Sequence, residues 1–442
     1  MATPIILKKL ANNLVLRRST VDDLEPLAAF NNAIHGGDNG NEYVVAWVKD
    51  LLRGNHPTFH VEDFTIIEDE ESRQIVSSLN LISQTWSYDG IPFGVGRPEL
   101  VGTNPDYRNQ GLIRAQFDVI HEWSRQRGEL VQAITGIPYF YRQFGYEMTV
   151  ELDGWRAGYA EHLPPVPEAD TAEPYRLRKA TPEDLPFIHN LYSLSCKRYL
   201  LSCVWTESLW EYEFFGKSQK NINRRDLHII ENQAGKAAGF IATPPLLWGD
   251  KIAASYFELL PGENWFQATP IVLRYLLKIG QTLTAEDGKT GCKGYRLDLG
   301  SEHPAYTAGK SLLPIVRTPY AFYMRVPDLP AFLRYITPVL EERLANSLCA
   351  GFSGDLAMSF YRGGIKMIFK EGKLDSVADY KPGAKDKVDA AFPNLTFLHL
   401  LFGHRTLDDL RTIYVDAWAT DQARLLLDAL FPRKPSLIWA VS

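Results

Sequence analysis

Apolar and polar positions in the first third of the chain follow strand-like and helix-like spacings in turn. The pattern predicts a strand over residues 14–17 and helices over 22–34 and 43–53. Two further strands are predicted over 64–68 and 75–86. This order of elements favours an α/β (α+β) fold, in which helices cover a sheet.

A strand predicted over 98–104 leads directly into PDYRNQGLIRAQF (105–117). There a turn and a run of polar residues precede an amphipathic helix that places Ile113, Phe117 and Ile120 on one face. The following segment, LVQAITG (130–136), is apolar enough to form a central, buried strand. The segment 105–117 is therefore the junction between a strand and a helix.

Several features of this first unit return later in the same order. RRSTVDDLEPL (17–27) resembles RKATPEDLPFI (178–188), with a threonine cap and acidic residues in the first helical turn of each. IIED (66–69) resembles IIEN (229–232), and Tyr141 in PYFY corresponds to Tyr306 in HPAY. The offsets are 161, 163 and 165 positions, which predicts a duplicated domain of about 160 residues.

The remaining chain divides around these two copies. A segment rich in proline and acidic residues, 161–175, predicts a linker, and a second apolar strand is predicted over 254–260. After the second copy, apolar residues at helical spacing predict one helix over 332–348, followed by an α+β unit unlike either copy. We therefore expect three domains, over residues 1–160, 175–325 and 328–442.

Composition and charge exclude several classes of function. A net charge of −6 without clustered Lys and Arg argues against a nucleic-acid partner. The N-terminal apolar stretch is too short for a signal peptide or a membrane span, so we expect a cytoplasmic protein that does not insert into membranes. The four cysteines form no CxxC pair, and the histidines show no ligand spacing, so no metal is expected.

The junction at 105–117 has the features of an anion site. A helix that starts after a strand presents unpaired N–H groups and the positive end of its dipole. Gly111 has no Cβ to keep a ligand away from the backbone, and Arg108 adds a guanidinium, which together suit a phosphate. An ordinary helix start containing a glycine is the alternative. The spacings of a P-loop and of a dinucleotide fingerprint are both absent.

The same residues resemble the acyl-CoA loop of the GNAT acetyltransferase superfamily, Q/R-x-x-G-x-G/A. Arg108, Asn109, Gln110 and Gly111 fit this motif, whereas Ile113 departs from its last position. Together with PYFYRQFGYE (138–147), the loop resembles the Eis-type (enhanced intracellular survival) proteins, which tolerate a large aliphatic residue there. That resemblance implies two tandem GNAT folds with mixed central sheets and a C-terminal α+β domain of sterol-carrier-protein type.

The resemblance also implies roles for individual residues. Tyr141 would be the general acid, and the terminal carboxylate of Ser442 would be the general base, unless water or a loop carboxylate serves instead. A tyrosine with a pKa of about 10 can protonate a thiolate whose pKa is about 8.5. The residues implied to hold acetyl-CoA, the co-substrate, lie on the strand and in the loop: Val101, Gly102, Thr103, Arg108, Asn109, Gln110, Gly111, Leu112 and Ile113.

The second copy lacks this loop, because PGENWFQATP (261–270) has no arginine or amide run before a helix-start glycine. We therefore expect it to form a wall of the substrate cleft, with Tyr306 as a packing residue. His35, in HGGDNGNEY, has two interpretations: it lines the acceptor pocket, or it is an ordinary polar loop residue.

These observations predict an acetyl-CoA-dependent N-acetyltransferase that acts on a primary amine of a small-molecule or peptide acceptor. The absence of cysteine near the loop and near Tyr141 favours direct transfer in a ternary complex. The resemblance implies a homo-oligomer, with a hexamer as one possible form. The alternative is a non-catalytic protein that binds or carries acyl-CoA or lipid. The identity of the amine is not encoded in these motifs.

Overall fold

The computed structural model describes residues 3–37, 40–165, 173–283, 291–383 and 386–442. Residues 166–172 of the predicted linker lie outside this description. The elements of the first copy are β1 (Ile6–Lys9), β2 (Leu14–Arg18), α1 (Leu24–His35), α2 (Glu42–Leu52), β3 (Phe64–Asp69), β4 (Ile75–Tyr88), β5 (Ile91–Thr103), α3 (Leu112–Gln126), β6 (Val131–Ile134), β7 (Glu147–Leu152) and β8 (Trp155–Tyr159).

The second copy and the third unit complete the fold. The second copy contains β9 (Tyr175–Lys179), α4 (Leu185–Cys196), β10 (Leu201–Cys203), α5 (Glu207–Glu211), β11 (Asp226–Asn232), β12 (Ala237–Thr243), β13 (Lys251–Ala254), β14 (Tyr256–Leu259), α6 (Trp265–Gly280), β15 (Gly294–Leu297), α7 (Pro304–Ala308), β16 (Ile315–Arg317) and β17 (Tyr320–Arg325). The third unit contains α8 (Leu329–Tyr335), α9 (Thr337–Ala345), β18 (Gly354–Ser359), β19 (Gly364–Lys370), β20 (Lys373–Asp379), β21 (Ala390–Ala391), α10 (Phe397–Leu401), α11 (Leu407–Ile413), β22 (Trp418–Ala419) and α12 (Asp421–Leu430).

The two copies share a buried or half-buried ion-pair arrangement at equivalent positions. In each, an arginine at the end of a strand reaches the acidic residue of the next turn and a glutamate on the neighbouring strand. The pairs are Arg17 with Asp23 and Glu68, and Arg178 with Asp184 and Glu231. All four N···O distances are 2.7 Å. Since the geometry repeats with the sequence, the duplication is also visible in the side chains.

The central sheets of the two copies exchange strands. The large sheet has the order β1-β2-β3-β4-β5-β6-β17-β7, so β17 inserts between two strands of the first copy. Conversely, β8 leaves the first copy and pairs with β15 and β16. Each sheet therefore takes a strand from the other copy, and we expect the two copies to fold together.

The third unit packs against both copies through a shared apolar core. Phe332 of α8 lies edge-on to Tyr88 and Phe93 of the first copy. The predicted single helix over 332–348 is wrong: α8 ends and α9 begins around Ile336, because Pro338 near the start of α9 cannot donate to the preceding turn.

The C-terminal tail runs along β10 after α12. Leu200 N–H donates to Pro435 at 2.7 Å, and Leu437 N–H donates to Leu201 at 3.1 Å. The indole N–H of Trp205 donates to the carbonyl of Trp439 at 3.0 Å. These bonds hold the chain end between the copies. Among the described residues, no helix is long and apolar enough to cross a membrane.

Candidate functional site

The candidate site is a cleft at the point where β5 and β6 separate. The two parallel strands pair at Val95–Val131 and Gly96–Gln132, and their described pairing ends there. The cleft has a volume of about 830 Å³. Most of the predicted site residues line it: Val101, Gly102, Thr103, Arg108, Asn109, Gly111, Leu112, Ile113 and Tyr141. Because β6 has diverged, this part of β5 has a free edge for a ligand.

A β-bulge shapes the wall of the cleft on β5. The register with β4 shifts between Ser78 and Asn80, and Leu100 has a φ of 52°. The side chain of Leu100 packs with the core under α1 and α2, whereas Val101 packs with the cluster around Tyr141. A bulge reorients the backbone locally. It is therefore the feature that turns main-chain groups of β5 toward the cleft.

The loop before α3 presents backbone amides to the cleft. Asn109 and Gly111 both have left-handed backbones, with φ of 64° and 75°. The first amides of α3 have no partner within the helix. Arg108 and Arg114 line the same end of the cleft, and the first turn of α3 has no acidic residue. A cationic residue in the first turn opposes the helix dipole, so this arrangement is suited to an anion such as a pyrophosphate.

Gln110 is the one predicted loop residue that does not line the cleft. Its side-chain carbonyl accepts a hydrogen bond from Asn12 at 3.3 Å on the exposed side of the loop. Gln110 thus contacts the turn between β1 and β2 instead of facing a ligand.

Tyr141 lies in a 3₁₀ turn, Phe140–Phe144, and lines the same cleft. Its ring packs against Phe117 and Tyr323, with centroids 5.9 and 5.4 Å away. A Cβ on Gly136 would lie 3.2 Å from the Tyr141 hydroxyl, so this glycine leaves room for it. Burial, and then the nearby carboxylate of Glu99, raise the pKa of Tyr141 well above its usual value. The hydroxyl is therefore protonated at neutral pH.

Residues of β17 hold the loop that leads to Tyr141. The hydroxyl of Tyr320 donates to the carbonyl of Gly136 at 2.6 Å, and that of Tyr323 donates to Ile137 at 2.9 Å. The exchanged strand thus connects the second half of the chain to the position of Tyr141.

Ser442 lies in a second, polar cleft of about 370 Å³. Thr135 lines both clefts, so they adjoin at the end of β6. Arg97 donates to the carbonyl of Val441 at 3.0 Å and also pairs with Glu99. The chain end is therefore connected through one arginine to a carboxylate in the first cleft.

Glu99 is a site residue that was not predicted from the sequence. It lines the first cleft and is buried, which raises the pKa of its carboxyl group. Its carboxylate accepts a hydrogen bond from the N–H of Leu100, at the bulge. The sequence does contain a signal for Glu99, which is the single acidic residue in the otherwise apolar segment PELVG. A carboxylate in a buried strand needs a hydrogen-bond or ion-pair partner, so its presence there indicates a specific role.

Other lining residues that the sequence did not indicate include Arg114, Thr135 and Ile222. The structure also settles where His35 lies: it is the last residue of α1, and it lines the cleft. Burial lowers the pKa of His35, which donates to the carbonyl of Leu100. A Cβ on Gly102 would lie 2.8 Å from Ile34, so the absence of a side chain allows α1 to approach β5.

The equivalent region of the second copy is built differently. The α6 helix begins after Asn264, whose side chain accepts from Gln267 N–H, and the bulky residues Trp265 and Phe266 occupy its first turn. Tyr306 is buried, and its hydroxyl donates to Leu297 at 2.8 Å and accepts from Leu299 at 2.9 Å. With both hydrogen bonds used inside the protein, Tyr306 has a packing role.

A mixed sheet that separates beside a bulged strand, with an amide-presenting helix start at the opening, is the arrangement of the GNAT class of fold. In agreement, residues 16–149 match the family model of the acetyltransferase (GNAT) domain. The match lies within the first copy and spans its cleft-lining loop and Tyr141. No curated protein sequence matches the chain.

Solved structures resemble nearly the whole chain. A probable N-acyltransferase from Enterococcus faecalis has a TM-score of 0.65 at 14% identity, covering 96% of this chain and 97% of its own. A GCN5-related N-acetyltransferase from Kribbella flavida gives 0.64 at 16%, with coverages of 97% and 98%. Eis1 from Mycobacterium abscessus gives 0.58 at 13%, with coverages of 97% and 99%. At these identities the likeness establishes the fold.

The described residues contain no group of three or more His, Cys, Asp or Glu that could hold a metal ion.

Proposed function

We propose that the protein transfers the acetyl group of acetyl-CoA to a primary amine of a small molecule or peptide, by direct attack in a ternary complex. The observation that carries this proposal is that Tyr141, the bulged strand and the loop of residues 108–113 line one cleft. An anion site, a free strand edge and a buried proton donor are thus combined in one cleft.

The groups that line the cleft suit the successive parts of an acyl-CoA molecule. Arg108, Arg114 and the first amides of α3 suit the pyrophosphate. The free edge of β5 at residues 101–103 suits the amide groups of the pantetheine arm. Backbone N–H groups near the bulge would stabilise the negative charge that develops on the thioester oxygen.

Tyr141 would supply the proton for the leaving group. When the amine nitrogen bonds to the acyl carbon, the carbon–sulfur bond breaks and the thiolate must be protonated. Tyr141 holds its proton because burial and Glu99 raise its pKa. The proton then moves from the tyrosine oxygen to the coenzyme sulfur.

The amine must lose a proton as well, and we propose the terminal carboxylate of Ser442 as its acceptor. Ser442 lines the polar cleft, which adjoins the first cleft at Thr135 and offers an approach for a hydrophilic amine. In this arrangement Glu99 pairs with Arg97 and supports the protonated state of Tyr141. Two carboxylates then have separate tasks on either side of one arginine.

We further propose a homo-oligomer and a third unit of sterol-carrier-protein type. The third unit has a five-stranded sheet covered by helices, and it exposes Val415 completely and Ile413 by 58%. Exposed apolar residues at one site favour contact with another protein chain.

The test is acetyl-CoA consumption by the full chain with a panel of amines, measured as release of free CoA thiol. We expect at least one amine to accelerate the release in proportion to enzyme concentration. Tight binding of lipid, with no stimulation by any amine, would overturn the proposal and favour the carrier alternative.

A further inference from the structure

The cleft that would bind the thioester is lined by both charged and apolar side chains. The charged residues that line it are Arg108 and Arg114 beside α3, and Glu99 beside Tyr141. Apolar side chains also line it, among them Ile34, Val44, Trp47, Leu100 and Ile222. We call these five residues the apolar wall. A cleft that combines cationic groups with an apolar wall suits a molecule with an anionic head and an apolar tail.

Ile222 belongs to the second copy, and it is fixed in place by contacts with the first. Its N–H donates to the carbonyl of Tyr43 in α2 at 3.3 Å. Asp50, also in α2, accepts from Ser218 N–H and from the amide of Asn221, each at 2.8 Å. Because the loop is attached to α2 on the same side as the cleft, the Ile222 side chain is a firm part of the wall.

Two of the polar groups in or beside the wall are uncharged. Burial lowers the pKa of His35, which is therefore neutral at physiological pH. The indole N–H of Trp47 is buried and has no hydrogen-bond partner among the described residues. The five side chains of the wall themselves carry no charge, and such a surface favours contact with methylene groups.

We propose that the apolar wall is a pocket for the acyl chain, so that the enzyme accepts acyl groups longer than acetyl, such as butyryl and hexanoyl, and that Ile222 limits their length. This inference rests on the proposed acyl transfer. An apolar acceptor is the other occupant to consider. The acyl chain is favoured because the wall and the anion site belong to one cleft, whereas the adjoining polar cleft is open to the amine.

The chemistry of the step is unchanged by the longer chain. The nitrogen–carbon bond forms, the carbon–sulfur bond breaks, the amine proton passes to a carboxylate, and Tyr141 protonates the thiolate. What the wall adds is burial of methylene groups, which corresponds to about fourfold in binding for each one that is fully buried.

The experiment compares acetyl-, butyryl-, hexanoyl- and octanoyl-CoA with the full chain and one amine acceptor, by release of CoA thiol. The variants are Ile222→Ala and Ile222→Trp, and the matched controls are Ile5→Ala and Ile5→Trp, since Ile5 is 57% exposed and distant in sequence from the cleft residues. In the wild type we expect kcat/KM for butyryl-CoA to equal or exceed that for acetyl-CoA.

The two variants should shift chain-length preference in opposite directions. Ile222→Trp should lower the hexanoyl-to-acetyl ratio of kcat/KM by about tenfold, and Ile222→Ala should raise the octanoyl-to-acetyl ratio. The Ile5 variants should leave both ratios at the wild-type value. Thermal melting checks that each variant is folded.

A binding measurement separates this inference from the proposed function. Calorimetric titration of the same acyl-CoAs needs no turnover, and we expect tighter binding of butyryl- and hexanoyl-CoA than of acetyl-CoA. Chain-length-dependent binding without transfer to any amine would refute the transfer reaction but keep the pocket. Transfer restricted to acetyl, or Ile222 variants that alter amine preference at constant acyl preference, would overturn the pocket and keep the transfer.

Discussion

Arg97 donates a 3.0 Å hydrogen bond to the carbonyl oxygen of Val441, across 344 positions of sequence. The side-chain amide of Gln84 donates to the same oxygen. A residue near the branch point of β5 and β6 therefore fixes the penultimate residue of the chain. Ser442, whose main-chain carboxylate is the proposed proton acceptor, follows directly and lines the polar cleft.

This contact makes the position of the last main-chain carboxylate testable. Adding one glycine after Ser442 moves the carboxylate by one residue without removing any side chain. We expect kcat to fall by about a hundredfold, the size of effect seen when a positioned proton acceptor is lost. Ser442→Ala keeps the main-chain carboxylate in place and should retain activity in the same assay. Equal loss in both variants would show that the serine hydroxyl matters instead.

Tyr141→Phe tests the proton donor. The substitution removes one hydroxyl and keeps the ring between Phe117 and Tyr323, so the fold should be preserved. We expect kcat to fall by about a hundredfold or more while the Kd for CoA stays the same. Tyr306→Phe in the second copy is the matched control and should affect stability only, because its hydroxyl bonds within the core. Unchanged kcat in Tyr141→Phe would exclude it as the acid.

The raised pKa of Tyr141 also sets the pH dependence. A general acid works while protonated, so activity is lost as the pH rises through its pKa. Because burial and Glu99 raise that pKa above the ordinary value of about 10, kcat should show no basic decline up to about pH 9.5. Initial rates at saturating substrates measure this. A basic limb between about pH 8 and 9 would mean that another group is the donor.

The elements that local patterns specify were predictable, and those that depend on distant pairing were not. The strand–turn–helix start at Arg17 and again at Arg178 predicted two copies, and both arginines make the same ion pairs in the structure. The position of Gly111 predicted the helix start. These features need only a few consecutive residues, because caps and turns are decided locally.

The exchange of β8 and β17 left no such signal. An alternating apolar segment has the same sequence pattern in either sheet. Its partner strands are determined by tertiary contacts, which the local pattern does not show. For the same reason the strand predicted over 254–260 is two strands in the structure. Residues 251–254 pair with β15 in one sheet and residues 256–259 pair with β12 in another. Ile222, which belongs to the second copy, lies in the site only through such tertiary contacts.

Gly111→Val tests the placement of the anion site. Gly111 has a φ of 75°, and a Cβ there would meet no atom within 4 Å, so the substitution strains the backbone without a clash. A β-branched residue disfavours this conformation, and the amides of the loop should lose their orientation. We expect the Kd for CoA to rise about tenfold or more in calorimetry. Gly128→Val, at a φ of 70° and equally open, is the control for strain alone. Similar CoA affinity in both variants would mean that the pyrophosphate binds elsewhere.

Asp50→Ala tests whether the loop of the second copy is held by α2. Asp50 is buried and accepts hydrogen bonds from Ser218 N–H, the Ser218 hydroxyl, the Asn221 amide and Arg53, so its removal takes a partner from each of these donors. Each such loss costs about 1–3 kcal/mol, and we expect the free energy of unfolding in urea to decrease by that order. Asp50→Asn should recover part of the loss, because its carbonyl can still accept one bond.

As Ile222 follows directly in the loop, Asp50→Ala should also raise KM for the acyl-CoA. A large loss of stability with unchanged KM would show that the loop keeps Ile222 in place without this anchor, through its bond to Tyr43.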